Sequence, residues 1–134
     1  MIKLGEIVEL QTLGDSRGGL VVAEAQKHIP FEIQRVYWIH GTQAGVERGF
    51  HAHKALRQAA AVITGACDMI LDDGTETVTV SLDSPRQAIL IEPGVWHYMK
   101  NFTLDCVLLV FADAYYDESD YIRDYNTFIR STKK

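Results

Sequence analysis

Two histidines two residues apart, His51 and His53 in the run Arg48-Gly49-Phe50-His51-Ala52-His53, are the residues of this chain best suited to chemistry. On a β-strand, positions i and i+2 project from one face, so both imidazoles would enter one pocket while Ala52 points the other way. A third, His97, follows the turn signal Pro93-Gly94 and sits on the strand that the turn begins. Imidazole is the side chain best matched to proton transfer near neutral pH. Three imidazoles together can also hold a metal ion. The other two histidines, His28 and His40, stand alone and read as ordinary structural residues. Any phosphate-bearing ligand would have to be met by a few local arginines. Tyr37 shares strand parity with Arg35 and Ile39, and Trp38 takes the opposite face, but the pattern does not say which face is inward. Tyr98 should face away from His97.

The elements that must position these residues read as strands. β-rich segments lie at Glu6–Leu10, Gly19–Ala23, Arg35–His40, Ala59–Thr64, Cys67–Leu71, Thr75–Leu82, Ala88–Ile91 and Cys106–Phe111. Thr77-Val78-Thr79-Val80-Ser81 alternates polar and apolar, as a half-buried strand does. Asp72-Asp73-Gly74 signals a tight hairpin with a primed turn. Strands spaced roughly 8–12 residues apart predict an antiparallel sandwich or barrel. At the other end, Ser119 is placed to cap a helix through Tyr121, Ile122, Tyr125, Phe128 and Ile129. The acidic run Asp117-Glu118-Ser119-Asp120 reads as a solvated turn and helix start, and Lys133-Lys134 as a frayed, solvated end.

A chain of 134 residues suits a single domain, residues 1–134. With 47% hydrophobic and 23% charged residues it has ample material for a core, which excludes disorder as the main state. The apolar runs Cys106–Ala112 and Ala59–Ile63 are too short to span a bilayer, and Met1-Ile2-Lys3-Leu4-Gly5-Glu6 has no secretory pattern. A net charge of −5 argues against a broad nucleic-acid surface. Cys67 and Cys106, each inside an apolar segment, read as buried thiols in a reducing cytoplasm.

Read together, the histidine segments resemble the two motifs of the cupin family. Gly45, His51, His53 and Gly65 fit the first motif, and Gly94, His97 and Asn101 fit the second. Pro93 lies one residue closer to Gly94 than the motif asks. Metal-binding cupins use a glutamate that here is Arg57 or Gln58. A cation or an amide removes an anionic ligand, although a three-histidine site stays open.

The match extends to a narrower group. Arg48–Lys54, Leu71-Asp72-Asp73-Gly74, Leu82-Asp83-Ser84-Pro85, Val95-Trp96-His97 and Tyr115–Arg123 resemble the sugar 3,4-ketoisomerases, over nearly the whole chain. The resemblance implies an all-β fold, a small antiparallel cupin (jelly-roll) barrel, with the short C-terminal helix read above. It implies a homodimer that exchanges N-terminal strands. It also implies metal-independent, cofactor-free isomerisation of dTDP-4-keto-6-deoxy-glucose, in making 3-amino-3,6-dideoxy sugars for O-antigen or S-layer glycans. By motif match His51 is the base and His53 its partner or shuttle. Tyr37 is the phenolic donor, and Arg35 and Arg48 are the cations for the diphosphate. Arg17 with His97 resembles members giving the galacto-configured 3-keto product, whereas members with tyrosine and arginine there are gluco-type. Other enzyme classes in the same fold are a metal-dependent cupin oxygenase and a sugar epimerase. A non-enzymatic sugar-binding cupin is the third class.

Overall fold

The computed structural model describes residues 3–133; Met1 and Ile2 of the N-terminal pattern, and Lys134 of the basic tail, lie outside the described residues. The chain runs β1 (Ile7–Glu9), β2 (Gln11–Asp15), β3 (Gly18–Val22), β4 (Arg35–His40), β5 (Arg48–His53) and β6 (Gln58–Thr64). It continues with β7 (Cys67–Asp72), β8 (Thr77–Leu82), β9 (Gln87–Ile91), β10 (Trp96–Lys100) and β11 (Val107–Ala112). A single 3₁₀ turn (Glu118–Asp120), β12 (Tyr121–Ile122) and α1 (Tyr125–Thr132) complete it. Two five-stranded antiparallel sheets form, in the orders β1-β9-β6-β11-β4 and β12-β5-β10-β7-β8. This is the antiparallel jelly-roll barrel with one short C-terminal helix that the sequence predicts.

Alternation builds the interior. Ala60 and Val62 of β6, Met69 and Leu71 of β7, and Leu108 and Val110 of β11 all point between the sheets and are buried. The outer faces are covered too. Phe128 of α1 is fully buried against Ala52 and Trp96, behind the second sheet. Ile29 and Phe31 lie on Ala59, Ala61 and Ala88, behind the first.

β2 and β3 stand apart as a separate two-stranded hairpin. The Gln11–Asp15 strand has no apolar alternation and is not legible in sequence; it exists through pairing, with Leu13 opposite Leu20. Both leucines are exposed.

Two expectations need correction. No helix is capped by Ser119. Asp117 caps the 3₁₀ turn, Tyr121 and Ile122 pair with β5, and α1 begins only after Asp124, whose carboxylate accepts from Thr127 N at 2.9 Å. Ladder bonds to β5 outcompete the helical periodicity there. The Asp72-Asp73-Gly74 hairpin is real but not a two-residue primed turn. Asp72 pairs with Thr77, leaving four residues in the loop, and Asp73 Oδ1 accepts from Thr75 N and Glu76 N.

Candidate active site

β5 supplies the first two imidazoles. His51 and His53 face inward and Ala52 lies fully buried on the opposite face, as the two-residue period requires. β10 runs antiparallel beside β5, and His97 sits directly across from His51. The ring centroids are 5.1 Å apart for His51–His53, 4.8 Å for His51–His97 and 5.9 Å for His53–His97. Tyr98 faces away, stacked on Phe50 at 4.6 Å.

A β-bulge in β5 adds Arg48 to this group. Strict alternation would put Arg48 on the Ala52 face. Instead the register jumps: His97 opposes His51, Tyr98 opposes Gly49, and Met99 opposes Arg48. Phe50 is the extra residue, with φ 64°, next to Gly49 at φ 105°. A Cβ on Gly49 would come within 2.9 Å of the Tyr98 Cα, so glycine is required there.

β4 resolves the direction of Tyr37. Arg35, Tyr37 and Ile39 turn inward, whereas Trp38 is 60% exposed. Tyr37, Arg35, Arg48, His51 and His97 line one cavity of about 300 Å³. His53 lines an adjoining cavity of about 290 Å³ with Asp120, and Arg35 and Tyr121 border both. The Arg35 guanidinium lies 5.4 Å from the Tyr37 ring centroid, and its Nε is buried without a partner. Tyr37 Oη accepts a hydrogen bond from Gln58 Nε2 at 2.7 Å, which leaves the phenolic hydrogen free for another acceptor.

Electrostatics keep the imidazoles neutral. Burial, then the neighbouring His53 and Arg123, pushes His51 down to about 4. Burial, with His51 beside it, pushes His97 down to about 3. His53 is lowered by burial as well, against the opposing pull of Asp120. His97 Nδ1 donates to Val95 O at 3.1 Å, which leaves Nε2 as the lone-pair nitrogen. His51 Nδ1 and His53 Nε2 are buried and unpartnered.

The three rings form the one potential metal-ligand group among the described residues, with ligand atoms up to 4.8 Å apart. A zinc tetrahedron with bonds of about 2.0–2.1 Å needs ligand atoms about 3.3 Å apart. The position of the cupin glutamate offers no carboxylate. Arg57 is ion-paired with Glu92 at 2.8 Å, and Gln58 is engaged with Tyr37. A metal here would rest on three imidazoles that must draw closer together, with no anionic ligand from the protein.

Arg17 is not brought to this cavity within one chain. It sits at the tip of the β2–β3 hairpin with its side chain 89% exposed, paired with Asp15. His28 accepts from Glu24 N in a local turn, and His40 is exposed, so neither joins the cluster. Cys67 and Cys106 are buried, and burial, together with Cys106, pushes the Cys67 thiol up to about 12.

Sequence reading missed Asp120 and Tyr121. β12 places Tyr121 across from His53, with its ring 4.3 Å from His53 and 5.0 Å from His51. The Arg123 guanidinium covers that ring at 4.1 Å and is held by Glu118 at 2.7 Å. Two signals were there: the acidic run, read as a solvated turn, and the Tyr115–Arg123 segment, which carried the family resemblance but was given no role in the site. Asp117, Glu118 and Ser119 are exposed, but Asp120 is not.

Comparison with known proteins follows from this geometry. The chain is 47% identical over 123 residues, 92% of its length and 88% of the relative's, to a TDP-4-oxo-6-deoxy-alpha-D-glucose-3,4-oxoisomerase of Aneurinibacillus thermoaerophilus. It is similar to the QdtA 3,4-ketoisomerase of Thermoanaerobacterium thermosaccharolyticum in two crystal structures. One is a double mutant with TDP, in which a tyrosine is replaced by arginine and an arginine by histidine; TM-score 0.95, 38% identity, covering 98% of this chain and 96% of that one. The other is a histidine-to-asparagine mutant with TDP-4-keto-6-deoxyglucose; TM-score 0.95, 36% identity, with the same coverage of 98% and 96%. A family model described as FdtA, WxcM-like, C-terminal, matches residues 4–133, and the chain belongs to that family.

Proposed function

We propose that this chain is a TDP-sugar 3,4-ketoisomerase that converts TDP-4-keto-6-deoxyglucose to the 3-keto isomer. The observation that carries this reading is the trio of neutral imidazoles gathered beside Tyr37, Arg35 and Arg48 in a chain of this family. The substrate's C3 hydrogen is acidified by the neighbouring C4 carbonyl. A neutral imidazole removes it, and the electron pair forms the C3–C4 double bond of an enediolate whose charge rests on O4. Returning a proton to C4, with transfer of the O3 hydrogen to O4, completes the shift of the ketone to C3. No redox partner is consumed.

His51 is the base that takes the C3 hydrogen. Its depressed pKa keeps the lone pair available at pH 7. His53, on the same face, carries the hydroxyl proton between O3 and O4. Tyr37 donates to the developing oxyanion, since Gln58 occupies its oxygen from behind and leaves its hydrogen for the sugar. Arg35 and Arg48 meet the diphosphate. His97 Nε2 takes up the proton that His51 has gained, which exchanges with solvent on the way, and delivers it to C4; with Arg17 it sets the galacto configuration.

Arg17 takes this role from a second copy of the chain. The β2–β3 hairpin packs on neither sheet and exposes Leu13, Leu20 and Val21, and its tip carries Arg17. A homodimer that exchanges N-terminal strands would cover those leucines and bring Arg17 to the partner's cavity. Each subunit acts as one domain in the cytoplasm, with no metal or other cofactor. Among the described residues no helix is long and apolar enough to cross a membrane.

Product analysis by ¹³C NMR tests the assignment. The carbonyl resonance should pass from C4 to C3, and C4 should gain a galacto-configured hydroxyl. A ketone that stays at C4 while C3 or C5 inverts would identify an epimerase instead. Binding without any product would identify a sugar-binding protein.

A further inference from the structure

Asp120 is the one carboxylate among the described residues bonded to an imidazole of the cluster. Its Oδ2 lies 3.2 Å from His53 Nδ1. Its Oδ1 accepts from Ala55 N at 2.8 Å, and Oδ2 also accepts from Leu56 N at 3.3 Å. The backbone joins in, since Asp120 O accepts from Lys54 N at 2.9 Å. The two segments are thus tied at both side chain and main chain, and the carboxylate cannot swing away from the ring.

An ionised carboxylate only accepts hydrogen bonds. His53 Nδ1 must therefore carry the hydrogen, and Nε2 must hold the lone pair. That Nε2 is buried, has no partner in the protein, and belongs to a side chain only 2% exposed. A buried nitrogen of this kind points to a group the substrate supplies. When Nε2 takes a proton, the positive charge forms directly against Asp120. Burial alone disfavours that charge, and the carboxylate is what opposes the penalty.

We propose that Asp120 is a positioning residue: it locks His53 in the Nδ1-protonated tautomer and holds the charge each time Nε2 receives the sugar hydroxyl proton. The inference rests on the isomerase reading and deepens it, because it explains why two neighbouring imidazoles behave differently. His51 Nδ1 has no such partner. His53 is thereby built to pass a proton reversibly, and His51 to take one from carbon.

A purely structural Asp120, tying the Lys54–Leu56 turn, is the competing role. Asp120→Asn separates the two. An amide has a single oxygen, and the shorter bond, from Ala55 N at 2.8 Å, claims it. The amide nitrogen then faces His53 Nδ1 and donates to it. The turn keeps the Ala55 bond and the main-chain tie to Lys54 and loses only the longer Leu56 bond, but the His53 hydrogen moves to Nε2. In the serine proteases the equivalent aspartate-to-asparagine change lowers kcat about 10⁴-fold through the wrong tautomer. By that measure we expect kcat to fall by roughly 10²- to 10⁴-fold here. KM should stay within about threefold, because no binding contact is lost.

The tautomer itself is read without activity, by two-bond ¹H–¹⁵N correlation of the imidazoles, with His53 assigned from a His53→Asn sample. Wild-type protein should show His53 protonated at Nδ1, and Asp120→Asn should show it at Nε2 with an unchanged fold. A wild-type His53 protonated at Nε2 would overturn the inference even if the variant fails to fold. So would a folded variant whose tautomer switches while kcat stays within twofold. Failure of the wild-type enzyme to form a 3-keto product would instead remove the isomerase reading, and the NMR result would still stand for the Asp120–His53 pair alone.

Discussion

Acidification should leave this enzyme active well below the pH at which ordinary histidine catalysts fail. The base must be neutral to accept the C3 hydrogen, and kcat/KM reports ionisations of the free enzyme. Burial and the charges around His51 bring its pKa to about 4, compared with about 6.5 for an unperturbed imidazole. At pH 5.5 a group of pKa about 4 is about 97% neutral, whereas one of 6.5 is about 9% neutral. The two cases differ about tenfold in kcat/KM at that pH, and about thirtyfold at pH 5.0. The diphosphate diester of the substrate does not titrate in this window, so the acid limb belongs to the protein. Timed quenching between pH 4.5 and 8, with the 3-keto product quantified by NMR at sub-saturating substrate, yields the profile. A flat profile down to about pH 5 is expected. An acid limb centred at 6–7 would refute the burial argument, because the base would then be a solvated imidazole.

Three further outcomes follow from the same geometry. His97 lies 3% exposed with its pKa near 3, so below pH 6.5 the unfolded chain binds a proton that the folded chain refuses. That contribution is complete above about pH 7 and is lost as pH falls, by about 2 kcal/mol at pH 5. Urea melts should show it, with the loss reduced in a folded His97→Gln variant. Protein purified without chelators should contain far less than one metal per chain by elemental analysis and keep its turnover in EDTA. Stoichiometric iron or zinc, with turnover abolished by chelation, would contradict the metal-free reading. Finally, Arg17→Ala and His51→Asn subunits, each impaired alone, should regain activity when mixed and refolded together, because one site of the mixed dimer carries neither change. No recovery would place Arg17 outside the partner's cavity.

Strand periodicity made the barrel legible, and with it the shared face of His51 and His53. Local pattern could not orient Tyr37, because Trp38 on the opposite face is equally apolar; burial of the inner face decided it. Arg48 reached the cavity only through the bulge at Gly49–Phe50, which breaks the two-residue rule that sequence reading relies on. Asp120 meets His53 across 67 residues of sequence, a contact set by β12 pairing with β5 and invisible to any local period. The Ser119 helix start failed for a related reason: Tyr121 and Ile122 carry helical spacing, but two ladder pairs with β5 hold them extended. The roles proposed for His97 and Arg17 rest on family resemblance and not on spacing.

Proton removal from C3 by His51 is the central claim, and deuterium exchange measures it directly. In deuterated water the wild-type enzyme should wash the C3 hydrogen out of the 4-keto sugar nucleotide and deliver deuterium to C4 of the product. A folded His51→Asn variant that binds TDP normally should do neither. Exchange at wild-type speed in that variant would contradict the account.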